Sequence, residues 1–120
     1  MSSDVYIVGA ARTPVGSFQG ALANQNAPQL GAHAIAAAIG QAGIDATEID
    51  EVIMGNVVSA GLKQAPARQA MRQAELPDSC GATTINKVCG SGMKATMLAT
   101  DLIRAGSGAT VIAGGMESMS

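Results

Sequence analysis

The sequence predicts an α/β fold with a mostly parallel sheet, in the order β-α-β-α-β-α-β. Two observations lead to this prediction. Short apolar runs alternate with longer stretches in which apolar residues recur at helical spacing. Glycine and proline mark most of the junctions between them. Strands that alternate with helices usually pair in parallel through right-handed crossovers, so a layered α/β sheet is the expected architecture.

Four segments are predicted to be strands. Each is short and either apolar or rich in β-branched residues, which is the composition of a buried strand. They are residues 5–11 (VYIVGAA), 51–57 (EVIMGNV), 82–88 (ATTINKV) and 109–115 (ATVIAGG).

Three segments between these strands are predicted to be helices. Pro28 suits the first turn of a helix, where a missing N–H costs no hydrogen bond, and Gly43 is a typical C-terminal cap. A second helix opens at Pro66 and stops before Pro77, and a third covers residues 90–105. Apolar residues share one face of the first helix (Leu30, Ala34, Ile35, Ala38, Ile39, Ala42) and one side of the third (Met93, Met97, Leu98, Leu102).

The composition excludes several classes of protein. The chain has 120 residues, of which 48% are hydrophobic and 13% charged, with a net charge of −2. A small domain needs much polar surface, so this chain is expected to bury an interface or to belong to a larger unit. No basic patch favours nucleic acid, and no apolar run is long enough to span a bilayer. The N-terminus lacks a secretory pattern, so the cytoplasm is the expected location.

Cys89 is the residue with the clearest chemistry. It lies between a predicted strand and a predicted helix, and Gly90, Ser91 and Gly92 follow it. Sites in parallel sheets form at the carboxyl ends of strands, and a helix N-terminus favours thiolate over thiol. The glycines leave room for a substrate carbonyl, and nearby N–H groups suit an oxyanion. A small buried cysteine at a tight turn fits the same pattern, so position alone leaves both interpretations open.

Three other residues carry weaker indications. Cys80 is interpreted as chemically unremarkable, and a disulfide with Cys89 is not expected in a cytosolic chain. The two cysteines lack metal-ligand spacing, so no metal site is predicted. His33 lies within the first predicted helix and is assigned a surface or packing role. Glu117 follows the last predicted strand, where it either supports the site or braces the turn, and bracing is the preferred interpretation.

Four blocks of the sequence resemble the thiolases, which are acetyl-CoA acetyltransferases and 3-ketoacyl-CoA thiolases. The blocks are AARTPVGSFQGAL, EVIMGNVVSAGLKQAPARQA, TTINKVCGSGMKA and AGGMESMS. They stand in family order and cover essentially all 120 residues, and the third is similar to the family's nucleophile signature. The resemblance implies a layered fold of two β-α-β-α-β-α-β-β halves. Residues 1–120 would form the first half up to its fourth strand, without the loop domain and the C-terminal half.

The resemblance also implies a Claisen condensation and its reverse, with acetyl-CoA acetyltransferase as the expected activity. Cys89 would attack an acyl-CoA thioester and hold the acyl group covalently. Coenzyme A thioesters would be substrates, and no cofactor is expected. The family's Gly-His-Pro and Cys-x-Gly blocks, which supply the activating histidine and a second cysteine, have no counterpart here. Because His33 and Cys80 lie outside such blocks, the 120-residue chain alone is expected to be inactive.

Two other functions remain open. One is a shortened, non-catalytic interaction module, because the resemblance implies that family dimers pair through the strand at 82–88. For the full-length protein, a homodimer or homotetramer is expected. The other is a ketoacyl-synthase relative of the same fold, which the segments VCGSG and GGMESMS make the weaker interpretation.

Overall fold

A three-stranded parallel sheet forms the centre of the structure, a computed structural model that describes residues 4–120. The strands are β1 (Glu51–Gly55), β2 (Gly81–Ile85) and β3 (Val111–Gly115). Their order is β2-β1-β3, with β1 paired in parallel to both neighbours. The α/β fold class and the parallel sheet are therefore confirmed, and the carboxyl ends of the three strands lie at one edge.

Three α-helices accompany the sheet: α1 (Ala27–Ala42), α2 (Pro66–Gln73) and α3 (Ser91–Arg104). Asn26 opens α1 with a capping box that the prediction did not include. Its side chain accepts a hydrogen bond from the Gln29 N–H at 2.9 Å, and the Gln29 side chain accepts one from the Asn26 N–H at 2.8 Å. Gly43 ends α1 in the left-handed conformation, with φ 69°, as predicted.

Several elements are shorter than predicted. The second helix was expected to reach residue 76, but Glu75 takes a left-handed φ of 65° and Leu76 turns into the core, where it is buried. The predicted third strand ends at Ile85 instead of residue 88. There the Asn86 side chain accepts a hydrogen bond from the Val88 N–H, which favours a turn over a continued ladder.

The predicted strand at residues 5–11 is wrong for this structure, because no hydrogen-bonded strand forms there in the described chain. The segment lies against α1, where the Ala10 N–H donates to the Gln41 side chain. A cavity of about 560 Å³ lies between the segment and β3. Paired strands lie roughly 4.8 Å apart. Because the cavity separates the segment from β3, the segment cannot pair with the edge of that strand.

The core lies between the sheet, α1 and α2. Its fully buried side chains include Val52 of β1 and Met71 of α2. The buried residues of α3 are small and include Ala95 and Ala99, while Met93 and Met97 are 69% and 53% exposed. The methionines predicted to share one side of this helix therefore lie outside the core, and the small residues let α3 approach the sheet closely.

Candidate active site

The start of α3 meets the ends of β1 and β3 in very close contact. A Cβ placed on Gly55 would lie 2.5 Å from the Ser91 Cβ, so only glycine fits at the end of β1. A Cβ on Gly92 would lie 3.6 Å from the Gly115 nitrogen, at ordinary contact distance. A side chain at residue 92 would therefore face β3. The sequence-based interpretation had instead placed this space next to the substrate. This contact places the loop before α3 at the carboxyl edge of the sheet.

Cys89 occupies that loop and is exposed, as a nucleophile must be. The loop joins the carboxyl end of β2 to α3, as predicted. The N-cap residue of α3 is Gly90, which has no side chain to satisfy the N–H groups of the first turn. The positive end of the helix dipole thus lies next to the cysteine.

Hydrogen bonds from two side chains shape the backbone around Cys89. The Ser91 hydroxyl donates to the Val88 carbonyl at 2.6 Å and accepts from the Lys87 N–H at 2.8 Å. The Asn86 side chain accepts from the Val88 N–H at 2.9 Å. Val88 itself has a φ of 50°, a left-handed conformation that β-branched residues rarely adopt. The residue before Cys89 is therefore held in a strained conformation by its neighbours.

Cys80, unlike the exposed Cys89, is buried. It is 2% exposed, and its thiol lies 3.4 Å from the Gly81 carbonyl oxygen. Burial, and then the negative charges of Glu51 and Asp50, raise the pKa of the Cys80 thiol. Both cysteines are free in this structure.

Glu117 ties the end of β3 to the loop that follows β1. Its carboxylate accepts hydrogen bonds from the N–H groups of Val57 and Val58, at 2.9 and 2.8 Å, and from the Asn56 amide at 3.1 Å. These contacts are those of a brace, which was the preferred interpretation. The Asn56 Nδ2 also donates to the Met116 carbonyl at 3.0 Å, while its buried Oδ1 has no partner within residues 4–120.

The remaining candidates do not join this site. His33 is exposed on α1, in agreement with a surface role. Within residues 4–120, no group of three or more His, Cys, Asp or Glu side chains is arranged to hold a metal ion. None of the helices in this part of the chain is long and apolar enough to cross a membrane.

The sequence-based interpretation missed the roles of Ser91, Asn86 and Asn56. Ser91 stands between two glycines, a pattern that indicates a flexible turn. The pattern does not indicate that Ser91 is buried or that its hydroxyl makes two hydrogen bonds. Asn86 lies two residues before Val88, which is the spacing of an Asx turn. This spacing was the one local signal in the sequence for the turn. Nothing in the sequence near Asn56 indicates its contact with Glu117, because the two residues are 61 positions apart.

Among the relatives and solved structures that match this chain, two relatives and one structure serve as examples, and each covers almost all of it. Acetyl-CoA acetyltransferase 2 of Arabidopsis thaliana is 56% identical over 117 residues, which are 98% of this chain and 29% of that protein. Acetyl-CoA acetyltransferase of Cupriavidus necator is 56% identical over 118 residues, which are 98% of this chain and 30% of that protein. The crystal structure of the Acat5 thiolase from Ascaris suum in complex with coenzyme A matches with a TM-score of 0.96 and 44% identity. This match covers 98% of the present chain and 31% of the Ascaris suum chain.

The chain thus spans less than a third of the length of these relatives. Residues 5–120 match the family described as thiolase, N-terminal domain. The matched range includes the loop of Cys89, the contact of α3 with the sheet and the Glu117 brace. On this match, the chain belongs to the thiolase family.

Proposed function

We propose that this chain is the nucleophile-bearing segment of a full-length thiolase that transfers acetyl groups between coenzyme A thioesters. The observation that supports this most directly is the exposed Cys89 in a shaped loop at the start of α3. The curated relatives named above are acetyl-CoA acetyltransferases, and the solved relative binds coenzyme A. Together they favour acetyl-CoA as substrate and acetyl-CoA C-acetyltransferase as the activity.

In the proposed reaction the Cys89 thiolate attacks the carbonyl carbon of acetyl-CoA. A bond forms between the sulfur and that carbon, the thioester bond to coenzyme A breaks, and coenzyme A leaves as a thiol after taking up a proton. A second acetyl-CoA then loses a proton from its methyl carbon. That carbon attacks the acetyl-cysteine, so that acetoacetyl-CoA forms and the Cys89 thiolate is released.

The residues of this chain support the first half of that reaction. The uncapped first turn of α3 directs partial positive charge toward the loop of Cys89, which favours the thiolate and the oxyanion that follows attack. The close contacts of Gly55 and Gly115 with the start of α3 hold the loop of Cys89 against the strand ends. At the same edge, Glu117 ties the loop after β1 to the end of β3. The groups that move protons would come from the Gly-His-Pro and Cys-x-Gly blocks of the full-length protein, and no resident cofactor takes part.

The second candidate function is a non-catalytic dimerisation module, which one observation favours. Strand β2 pairs only with β1 within the described sheet, so its other edge is available to a second chain. We propose that the full-length protein uses this edge in a homodimer or homotetramer, in the cytoplasm. Catalysis and dimerisation through β2 are compatible. The non-catalytic module would be the function only if the full-length protein dimerises but does not catalyse acetyl transfer.

An acyl-enzyme experiment tests the proposal. The full-length protein is mixed with acetyl-CoA, quenched in acid, digested and mapped by mass spectrometry. We expect one acetyl group on the peptide that contains Cys89 and none on the peptide that contains Cys80. Cys89→Ala should abolish this label, while Cys80→Ser should keep it. An unlabelled Cys89 peptide, or a label that persists in Cys89→Ala, would contradict the assignment.

A further inference from the structure

Ser91 is a buried polar residue with an unusual set of partners. It is 5% exposed, and its hydroxyl bonds only to the backbone of the loop that precedes it. A side chain that caps a helix accepts from the N–H groups of the first turn, two or three residues ahead. Ser91 is already the first residue of α3, and its hydroxyl points back to Lys87 and Val88. Its bonds therefore shape the loop of Cys89 and leave the helix N–H groups uncapped.

The loop needs such support because Val88 is strained. Its φ of 50° places the Cβ of a β-branched residue against the backbone, where glycine would fit without cost. Burial does not hold Val88 in place, since its side chain is 65% exposed. The remaining restraints are the hydrogen bonds at its N–H and at its carbonyl. Asn86 accepts from the N–H, and Ser91 approaches the carbonyl with both its hydroxyl, at 2.6 Å, and its N–H, at 3.2 Å.

We propose that Ser91 is a positioning residue, which holds Val88 in the left-handed conformation so that Cys89 presents its sulfur at the first turn of α3. The role rests on the proposed function of Cys89 and adds a residue that acts through it. When the hydroxyl is removed, the Lys87 N–H loses its acceptor and the Val88 carbonyl loses its shortest hydrogen bond. Val88 then relaxes toward a negative φ, and the next residue along the chain, Cys89, moves with it.

The first measurement is the rate at which iodoacetamide alkylates Cys89 in the full-length protein at neutral pH. This rate depends on the place of the sulfur and needs no coenzyme A chemistry. We expect Ser91→Ala to lower the rate about two- to fivefold at neutral pH, because the sulfur moves away from the positive end of α3, which stabilises the anionic sulfur that reacts. Labelling of buried Cys80 reports unfolding in the same sample.

The second measurement is rescue. Glycine adopts the left-handed conformation freely, so Val88→Gly should remove the strain that Ser91 opposes. We therefore expect the double variant Ser91→Ala/Val88→Gly to recover most of the alkylation rate that Ser91→Ala loses. The matched control is Ser107→Ala, an exposed serine beyond the C-terminal end of α3, which should alkylate like the parent protein.

Three results would overturn the proposal. The first is an unchanged alkylation rate in folded Ser91→Ala. The second is independence, in which Ser91→Ala slows alkylation by the same factor with and without the Val88→Gly substitution. If iodoacetamide labels Cys80 in Ser91→Ala, that variant is unfolded and Asn86→Ala replaces it, because Asn86 is exposed and accepts a hydrogen bond from the same Val88. The third result is an alkylation rate of Cys89 in Asn86→Ala that equals that of the parent protein. Failure of the thiolase assignment has a different signature, in which Cys89 alkylates as expected but takes no acetyl group from acetyl-CoA.

Discussion

The carboxylate of Glu117 accepts a hydrogen bond of 2.8 Å from the backbone N–H of Val58, 59 positions earlier in the chain. Its other oxygen accepts from the Val57 N–H at 2.9 Å. One side chain thus satisfies two successive donors in the loop after β1 from a position just beyond β3. Bonds to an ionised acceptor are stronger than neutral ones, so this contact is suited to hold the two loops together at the edge where Cys89 lies.

We predict that Glu117→Gln weakens this edge. The amide keeps one acceptor oxygen, but its NH₂ group faces a backbone N–H that needs an acceptor. The contact is partly solvated, so we expect a loss of about 1–2 kcal/mol in the free energy of unfolding of the full-length protein. Urea unfolding measures this change. Glu75→Gln, at an exposed carboxylate in the turn after α2, is the matched control and should change stability by less than about 0.5 kcal/mol. Equal stability of the two variants would show that the brace contributes nothing.

We predict that iodoacetamide labels Cys89 and spares Cys80 at neutral pH. Cys89 is exposed, whereas Cys80 is buried and its pKa is raised, so the Cys80 thiolate is scarce until the pH is well above neutral. Peptide mapping after limited labelling of the full-length protein gives the ratio of labelled Cys89 to labelled Cys80. Labelling of Cys80 should appear only with urea or at high pH. Preferential labelling of Cys80 under native conditions would count against the assignment of Cys89 as the nucleophile.

We predict that Gly55→Ala and Gly92→Ala have opposite consequences. A Cβ at residue 55 would lie 2.5 Å from the Ser91 Cβ and 2.8 Å from the Ser91 carbonyl carbon, so the start of α3 must shift. Such overpacking costs about 1–3 kcal/mol, and it displaces the loop of Cys89. A Cβ at residue 92 meets nothing closer than 3.6 Å, and alanine is the better helix former.

Thermal unfolding and acetyl transfer of the full-length protein measure both effects. Gly55→Ala should lower the melting temperature and slow acyl-enzyme formation. Gly92→Ala should keep or raise the melting temperature and form the acyl-enzyme at a similar rate. Gly92→Val, with a branched side chain toward Gly115, should resemble Gly55→Ala. If Gly55→Ala is neutral in both assays, the close approach of α3 to β1 is not required.

The parts of this structure that local pattern determines were predictable. Apolar and β-branched runs indicated β1, β2 and β3, because strands buried in a parallel sheet have this composition. The same kind of run at residues 5–11 forms no strand, since pairing depends on a neighbour that no local pattern reports. The place of Cys89 between β2 and α3 was predictable, because the β-branched run before it and the glycines after it indicate a strand-to-helix turn. The Glu117 brace and the work of Ser91 depend on tertiary contacts and on backbone strain, which a single sequence does not display.

We predict that Asp50 makes folding sensitive to acid. Its carboxylate accepts hydrogen bonds from the N–H groups of Ala109 and Thr110, at 2.7 and 3.1 Å, and these bonds lower the pKa of Asp50 below its ordinary value. Because the folded pKa is depressed, the stabilising contribution is present above the unfolded pKa of about 3.9. It is lost as the pH falls through the lower, folded pKa.

Urea unfolding of the full-length protein between neutral pH and strong acid measures this contribution. Asp50→Asn should be less stable at neutral pH, and its deficit should shrink as the parent protein loses the Asp50 charge in acid. The variant Asp101→Asn, at an exposed carboxylate on α3 that accepts neither of these bonds, distinguishes this effect from loss of any one charge. A deficit that stays constant down to strong acid would contradict the role of the Asp50 charge.

We predict that the 120-residue chain alone does not turn over acetoacetyl-CoA and coenzyme A. Cys89 is in place, but residues 1–120 do not contain the Gly-His-Pro and Cys-x-Gly blocks expected from the resemblance. Each general acid–base group contributes on the order of 100- to 10,000-fold, so two missing groups cost roughly four to eight powers of ten. The chain should also associate, because Met93, Met97 and the outer edge of β2 are uncovered.

Loss of the enolate absorbance of acetoacetyl-CoA measures turnover, and analytical ultracentrifugation measures association. The full-length protein is the positive control, and Cys89→Ala in both lengths gives the background. Stoichiometric acetylation of Cys89 in the short chain, without turnover, would agree with the prediction, because the first bond exchange needs less of the missing machinery than the second. Turnover close to that of the full-length protein, abolished by Cys89→Ala, would show that a base lies within these residues. His33 would then be the first residue to substitute.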